Sequence, residues 1–276
     1  MKVVFAKTRY AYDSYRDFWK LVELSGFDTC FVDEIDLPLD IVYITTPVNG
    51  ELRPHMDHRR SILKGPQRAK IIWWNLERPD SDGQPPITDV ITDILRYVDA
   101  VWVSDRHYAS LDKRMHHVVL GSHAGLCRDH EPYPAQYDYT HQSYVWGRRE
   151  AIFFPLRMSG LREGPNGWFE ERDCTLRSSR LIVNVHQTKA LIGEPLRFAV
   201  TSAYRMAMVS ETLADNYPFV PSHDHIQASF ENLVETVRSS LGRNDLAEMG
   251  RNLFHRLCVE WTFSRGVREG IASTRF

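Results

Sequence analysis

Glu194, Pro195 and Arg197 stand at the head of an apolar run, residues 196–203, that has helical spacing. Just upstream, residues 181–183 form an apolar strand that ends in Asn184, His186 and Gln187. A helix N-terminus offers backbone N–H groups and a partial positive charge, which suit a phosphate. Pro195 fits the first helical turn, where its missing N–H costs nothing. Glu194 can accept two hydroxyl hydrogen bonds, as from a ribose or another sugar. Arg197, one turn in, can meet a diphosphate bidentately. Asn184 and His186 face the same crevice, and Ser210 and Glu211 end the following strand. These residues together predict a cradle for a sugar nucleotide. The structural alternative is a plain helix start with Glu194 as its capping acid.

The elements that must position these groups follow from the hydrophobic pattern. In the first half, KVVFA, DIVYITTP, AKIIWWNLERP, DAVWVSD and HHVVLGSH are strand-like. SYRDFWKLVELSG and ITDVITDILRYV carry helical spacing between them. Continuous apolar strands separated by helices imply a parallel sheet covered on both faces. No G-x-G-x-x-G loop follows the first strand, which argues against a dinucleotide-dependent dehydrogenase. Residues 128–143, with two prolines and little periodicity, are expected to cross between halves as a linker. A second α/β half follows, and the tail from residue 245 predicts one long amphipathic helix. The expected domains are 1–140, 141–255 and a closing helix over 256–276 that packs back on the first domain.

Further candidates sit at other strand ends. Arg148 and Arg149 follow Gly147 ahead of a helix. Glu77 and Arg78 close the WNLERP strand, either as an ion pair or as an acceptor contact or interdomain latch. Asp105 and His123 end two more strands and are candidates for a catalytic base. Residues 53–70 hold six Arg or Lys, including Arg59 and Arg60, among His55, Asp57 and His58. That spacing matches no zinc pattern, so no metal is expected. The run is a solvated loop and helix, or a basic lip for an anionic acceptor such as DNA.

Composition bounds the rest. The 276 residues are enough for one large or two modest domains, and the net charge of −2 argues against a wholly basic nucleic-acid binder. Four scattered cysteines fit reduced thiols, and no apolar run approaches the ~20 residues of a membrane helix, so a cytoplasmic protein is expected.

The stretch RSSRLIVNVHQ with IGEPLRFAVTSAYRMAMVSE resembles the donor-binding core of GT-B glycosyltransferases, of the retaining group 1 or CgeB-like type that extends to phage enzymes. WGRREAIFFPL resembles the entry to their second domain. The resemblance implies two facing Rossmann-like domains closed by a C-terminal helix. It also implies a nucleotide diphosphate sugar donor, with a UDP-sugar expected, and no required cofactor or metal. Donor contacts then fall to Arg148, Arg149, Asn184, His186, Glu194, Leu196, Arg197, Phe198 and Glu211, with Glu194 also catalytic. Two features depart from the family pattern: Ser202 stands where many retaining members carry a second glutamate, and Tyr204 and Arg205 stand where a small residue, usually glycine, is found. The acceptor is a saccharide, a small molecule or a hydroxymethylated base in phage DNA. A non-catalytic nucleotide or sugar-binding module and a nucleotide-sugar epimerase are the alternatives, and the sequence does not fix the oligomeric state.

Overall fold

The computed structural model describes residues 2–7, 15–34, 40–46, 69–76, 94–127, 133–167, 170–187, 189, 194–274 and 276. The chain divides into two compact units, residues 1–119 with 264–276, and residues 120–263. These divisions differ from the sequence-based boundaries at 140 and 255.

The first unit is built on a six-stranded sheet. Its strands are β1 (Lys2–Lys7), β2 (Asp28–Phe31), β3 (Ile41–Thr45), β4 (Lys70–Trp74), β5 (Ala100–Val103) and β6 (Met115–His117), in the spatial order β2-β1-β3-β4-β5-β6. All pairings are parallel. The centre of β1 and nearly all of β3, β4 and β5 are buried without alternation, as expected of strands covered on both faces. Helix α1 (Arg16–Leu24) buries Phe18, Trp19, Leu21 and Val22 along one stripe and ends at Gly26, whose φ of +73° favours glycine. An aromatic line crosses the core: Phe5 meets Phe18, Phe18 meets Trp74 edge-on at 5.6 Å, and Trp74 meets Trp102 edge-on at 5.1 Å. A short helix, α2 (Arg106–Ala109), follows β5.

The second unit carries a four-stranded parallel sheet, β7 (Tyr137–Thr140), β8 (Ser179–Asn184), β9 (Ala207–Glu211) and β10 (Ile226–Ala228), in the order β10-β9-β8-β7. Its helices are α3 (Glu150–Met158), α4 (Glu170–Arg177), α5 (Pro195–Ala203), α6 (Leu233–Ser240) and α7 (Leu246–Phe254). Strand β7 lies within the segment expected to be a linker. Its Tyr139 is fully buried and packs parallel to Phe153 of α3, so the aromatic residues decide where the prolines do not. Every residue of α5 from Phe198 to Ala203 is buried, the hydroxyls of Thr201 and Ser202 donating to the Arg197 and Ala199 carbonyls at 2.8 and 2.7 Å.

The tail is not one long helix. After α7 the chain runs through a π-helical stretch, His255–Glu260, breaks at Trp261 and Thr262, and resumes as α8 (Phe263–Ser273). The break is held by Ser122, whose N–H donates to the Leu257 carbonyl at 2.9 Å and whose carbonyl accepts from Phe263 N–H at 3.0 Å. A π-bulge of this kind inserts a residue into the helical ladder and redirects the chain beyond it. Within the first unit, Trp102 Nε1 donates to Thr274 Oγ1 at 2.9 Å, and Gly270 of α8 lets the Trp102 ring approach closely.

Candidate functional site

Strands β7, β8 and β9 lie side by side and parallel, so their carboxyl ends form one edge. Asn184 and Ser210 are register partners there, and Glu211 ends β9. The edge is where ligands bind in parallel α/β sheets. Helix α5 starts at this edge with Pro195 in its first turn.

Glu194 is the residue ahead of α5, yet its side chain makes no capping hydrogen bond. It is turned onto two arginines instead. Arg149 Nη2 donates to Oε1 at 3.0 Å, and Arg197 pairs with Oε2. Arg149 is only 5% exposed; its Nε donates to the Val185 carbonyl at 2.9 Å and its Nη1 to the Tyr144 carbonyl at 3.4 Å. Arg197 also donates to Asn184 Oδ1, and its Nη2 reaches the Gln142 carbonyl at 3.0 Å.

A second ion pair lies beside the first. Arg148 forks onto both oxygens of the buried Glu211, with Nη1 to Oε2 at 2.6 Å, and Nη1 also donates to the His186 carbonyl at 3.1 Å. Its guanidinium stacks on the Phe230 ring at 3.8 Å. The His186 N–H donates to Glu211 Oε2 at 3.1 Å, and His186 Nε2 donates to the Thr212 carbonyl at 3.2 Å. Asn184 Nδ2 donates to Ser210 Oγ at 3.0 Å, and Ser210 Oγ donates to the Glu211 carbonyl at 2.8 Å. A continuous network thus runs from Arg197 through Asn184 and Ser210 to Glu211 and Arg148. Among the described residues, three guanidinium groups face two carboxylates at this edge, beside a helix N-terminus. Such an edge is suited to an anion.

Comparison with known proteins bears on the fold. No protein-family model matches the sequence, and no curated protein matches it either. Solved structures do match. HepE from Anabaena, in complex with UDP-glucose, superposes with a TM-score of 0.68 at 9% identity, over 99% of this chain and 100% of that one. AviGT4, a glycosyltransferase of avilamycin A biosynthesis, superposes at 0.57 with 10% identity, over 100% of this chain and 97% of that one. The structure of TarM superposes at 0.54 with 8% identity over 87% of this chain, which spans 55% of the TarM chain. The fold is GT-B. At these identities the likeness concerns architecture alone.

Placed on the GT-B framework of two Rossmann-like units, the residues picked out by sequence separate into groups. Arg148, Arg149, Asn184, His186, Glu194, Arg197 and Glu211 converge on one edge of the second unit through the contacts above. Leu196 and Phe198 contribute differently. The amides of Arg197 and Phe198 both reach the Glu194 carbonyl, at 3.0 and 3.3 Å, so they already serve the helix. The Phe198 ring is buried against Phe219, with centroids 4.4 Å apart.

Asp105 and His123 have local duties. Asp105 caps α2, its Oδ1 accepting from His107 and Tyr108 N–H at 2.8 and 3.1 Å. His123 Nδ1 accepts from Gly125 N–H at 3.0 Å. An accepting Nδ1 puts the proton of the neutral ring on Nε2, which makes His123 a donor rather than a base through that nitrogen. Glu77, Arg78, Arg59 and Arg60 lie outside the described residues, as does the one Asp-x-Asp triplet of the chain, Asp80 and Asp82 around Ser81. Among the described residues, no group of three His, Cys, Asp or Glu side chains suits a metal ion, and no helix is long and apolar enough to cross a membrane.

Gln142, Tyr144, Phe230 and Thr212 take part in the network without having been picked out by sequence. Three of them act through a backbone carbonyl, which leaves no side-chain signal, and Phe230 is far in sequence from the arginine it supports.

Proposed function

We propose that this chain is a glycosyltransferase that moves a sugar from a nucleotide diphosphate sugar, expected to be a UDP-sugar, to an acceptor hydroxyl. The observation that carries this reading is the arginine-lined edge at the head of α5, where Arg148, Arg149 and Arg197 are oriented by Glu194 and Glu211. In the reaction the bond from the anomeric carbon to the diphosphate breaks as the acceptor oxygen bonds to that carbon, the acceptor's hydroxyl proton passing to the leaving diphosphate. Positive charge grows at the anomeric carbon and negative charge on the leaving diphosphate. Preorganised guanidinium groups stabilise that growing charge without moving at the moment of reaction. Arg149 and Arg197 share the Glu194 carboxylate, which holds both guanidinium groups at the edge where the diphosphate would lie. Glu194 orients them, and a carboxylate is also the kind of group that accepts from a ribose or sugar hydroxyl. Leu196 presents the remaining first-turn amide. Retention of anomeric configuration, independence of a metal, and the division into an N-terminal acceptor domain and a C-terminal donor domain belong to the same proposal, on the family resemblance.

The test is release of nucleoside diphosphate from a panel of nucleotide sugars, with saccharides, small hydroxyl compounds and hydroxymethylated DNA as acceptors. Release that depends on one acceptor class, with a glycosylated product, supports the transferase and names its acceptor. Binding of nucleotide sugar without release under every acceptor supports a non-catalytic sugar-nucleotide module. That second reading is favoured by one observation, the local capping duties of Asp105 and His123.

A further inference from the structure

Helix α3 (Glu150–Met158) is apolar on both of its sides. Its inner side buries Ile152, Phe153 and Leu156 in the core of the second unit. Its outer side carries Ala151, Phe154, Pro155 and Met158, all exposed, with Phe154 62% and Met158 72% open to solvent. The spacing of these four, i, i+3, i+4 and i+7, makes one stripe along the helix. A helix apolar all round is ordinarily buried all round, and within a single chain only the inner half of α3 is. A stripe of this kind is where a partner gains most by docking.

The two charges of α3 select the partner. Glu150 and Arg157 stand two helical turns apart, about 10 Å along the axis, and so lie on the same flank of the stripe. Glu150 is exposed, and its carboxylate has no partner among the described residues. Arg157 has a side chain 46% exposed; its Nε and Nη2 each donate to Glu163 at 2.7 Å, and its Nη1 has no partner among the described residues. A two-fold axis through the middle of the stripe turns the helix end over end and keeps the charged flank on the same side. It sets Glu150 of each copy opposite Arg157 of the other. The flank is thus complementary to itself in an antiparallel pair, whereas a parallel pair would set it against the opposite flank. One acid and one base also give no net pull toward an anionic lipid surface, which favours a flank rich in Lys and Arg.

We infer that the outer face of α3 is a homodimer interface, on which a second copy of this chain packs its own α3 antiparallel across Phe154 and Met158. The interface is independent of the proposed donor site. In the pair, Phe154 meets its own symmetry mate near the axis, and Met158 of each copy lies over Ala151 of the other. Large and small side chains then oppose each other, and a Glu150–Arg157 pair closes each end. An interface centred on one nine-residue helix covers about a few hundred Å² on each copy, below the ~800 Å² of a standard interface. The association is therefore weak and concentration-dependent.

The test is sedimentation equilibrium of the full chain over about a hundredfold range of micromolar concentration. Wild type is expected to rise from the mass of one chain toward that of two. Phe154→Asp is expected to stay a monomer throughout. Glu150→Arg sets like charges against each other at both ends, and is expected to weaken self-association about tenfold. Both side chains are exposed, so melting temperatures equal to wild type in dilute samples are expected and are checked alongside. A wild type that keeps the mass of one chain at every concentration refutes the interface. So does a wild-type dimer that Phe154→Asp leaves intact, because the contact then lies on another face. A dimer that Phe154→Asp breaks and Glu150→Arg leaves untouched overturns the antiparallel pairing. A monomeric wild type that cosediments with vesicles of phosphatidylcholine and phosphatidylglycerol, and loses this in Phe154→Asp, refutes the dimer and assigns the face to a membrane.

Discussion

Glu194 holds Arg149 through Oε1 at 3.0 Å and Arg197 through Oε2, so one carboxylate fixes two guanidinium groups at the head of α5. The arrangement gives Glu194 a structural duty. Glu194→Ala leaves two largely buried cations facing each other without their anion, and is expected to destabilise the fold by about 3 kcal/mol. Glu194→Gln keeps a hydrogen-bond acceptor and is expected to cost less. Chemical denaturation of the two variants checks this. An alanine variant as stable as wild type would mean the carboxylate does not hold the pair.

Arg148 is placed by a fork on Glu211 and by the face of Phe230. Lysine cannot make either contact in full, because its ammonium is a point charge with no planar fork. Arg148→Lys is therefore expected to weaken nucleoside diphosphate binding by about tenfold while the chain still folds, the loss of roughly one charge-assisted hydrogen bond. An unchanged dissociation constant would remove Arg148 from the donor site.

The left-handed backbone at Arg205, with φ +53°, is where the resembling family usually carries glycine. The chain accommodates arginine there by stacking its guanidinium over Phe254 at 4.4 Å. Gly250 of α7 permits the approach, because a Cβ at 250 would lie 1.9 Å from the Arg205 carbonyl oxygen. Gly250→Ala should push α7 off this turn and destabilise the second unit by about 3 kcal/mol, within the range of core overpacking. A melting temperature within a degree of wild type would show that the helix shifts freely.

His225 is fully buried edge-on to the stacked pair Phe198 and Phe219, and among the described residues neither ring nitrogen has a hydrogen-bond partner. Burial pushes its pKa down to about 4, against the opposing pull of Asp224. The unfolded chain titrates this group near its ordinary value of about 6.5, so below that pH it binds a proton that the folded chain refuses. Stability contributed by the neutral ring is whole above about 6.5 and falls as pH drops from there toward 4. The total loss is about 3 kcal/mol. In His225→Leu the slope of stability between these pH values should flatten relative to wild type. Identical slopes would show that other groups carry the acid sensitivity.

Much of the fold is readable from the chain. Unbroken apolar strands such as IIWW and LIVN announce parallel sheets, because only strands covered on both faces lack alternation. Glu194 and Pro195 mark a helix start at a strand edge, and α5 begins there. The partners of the charges are not readable. Arg148 and Glu211 are 63 residues apart, and which acid meets which arginine is settled by the sheet order. The short edge strands β2 and β10 are too brief for a periodic signal. The π-helical break in the tail is also hidden, since helical spacing continues on both sides of it and Ser122, which holds it, lies more than a hundred residues away. Nothing in the residue types marks Tyr144 and Trp146 as exposed, because aromatic side chains in an α/β chain usually pack inward.

Thermal denaturation with and without UDP tests the central claim most directly. At 100 times its dissociation constant the ligand should stabilise wild type by about 2.7 kcal/mol and raise the melting temperature accordingly. Arg149→Lys and Arg197→Lys should lose most of that rise. No shift with UDP or any other nucleoside diphosphate, in wild type, would contradict a donor site at the head of α5.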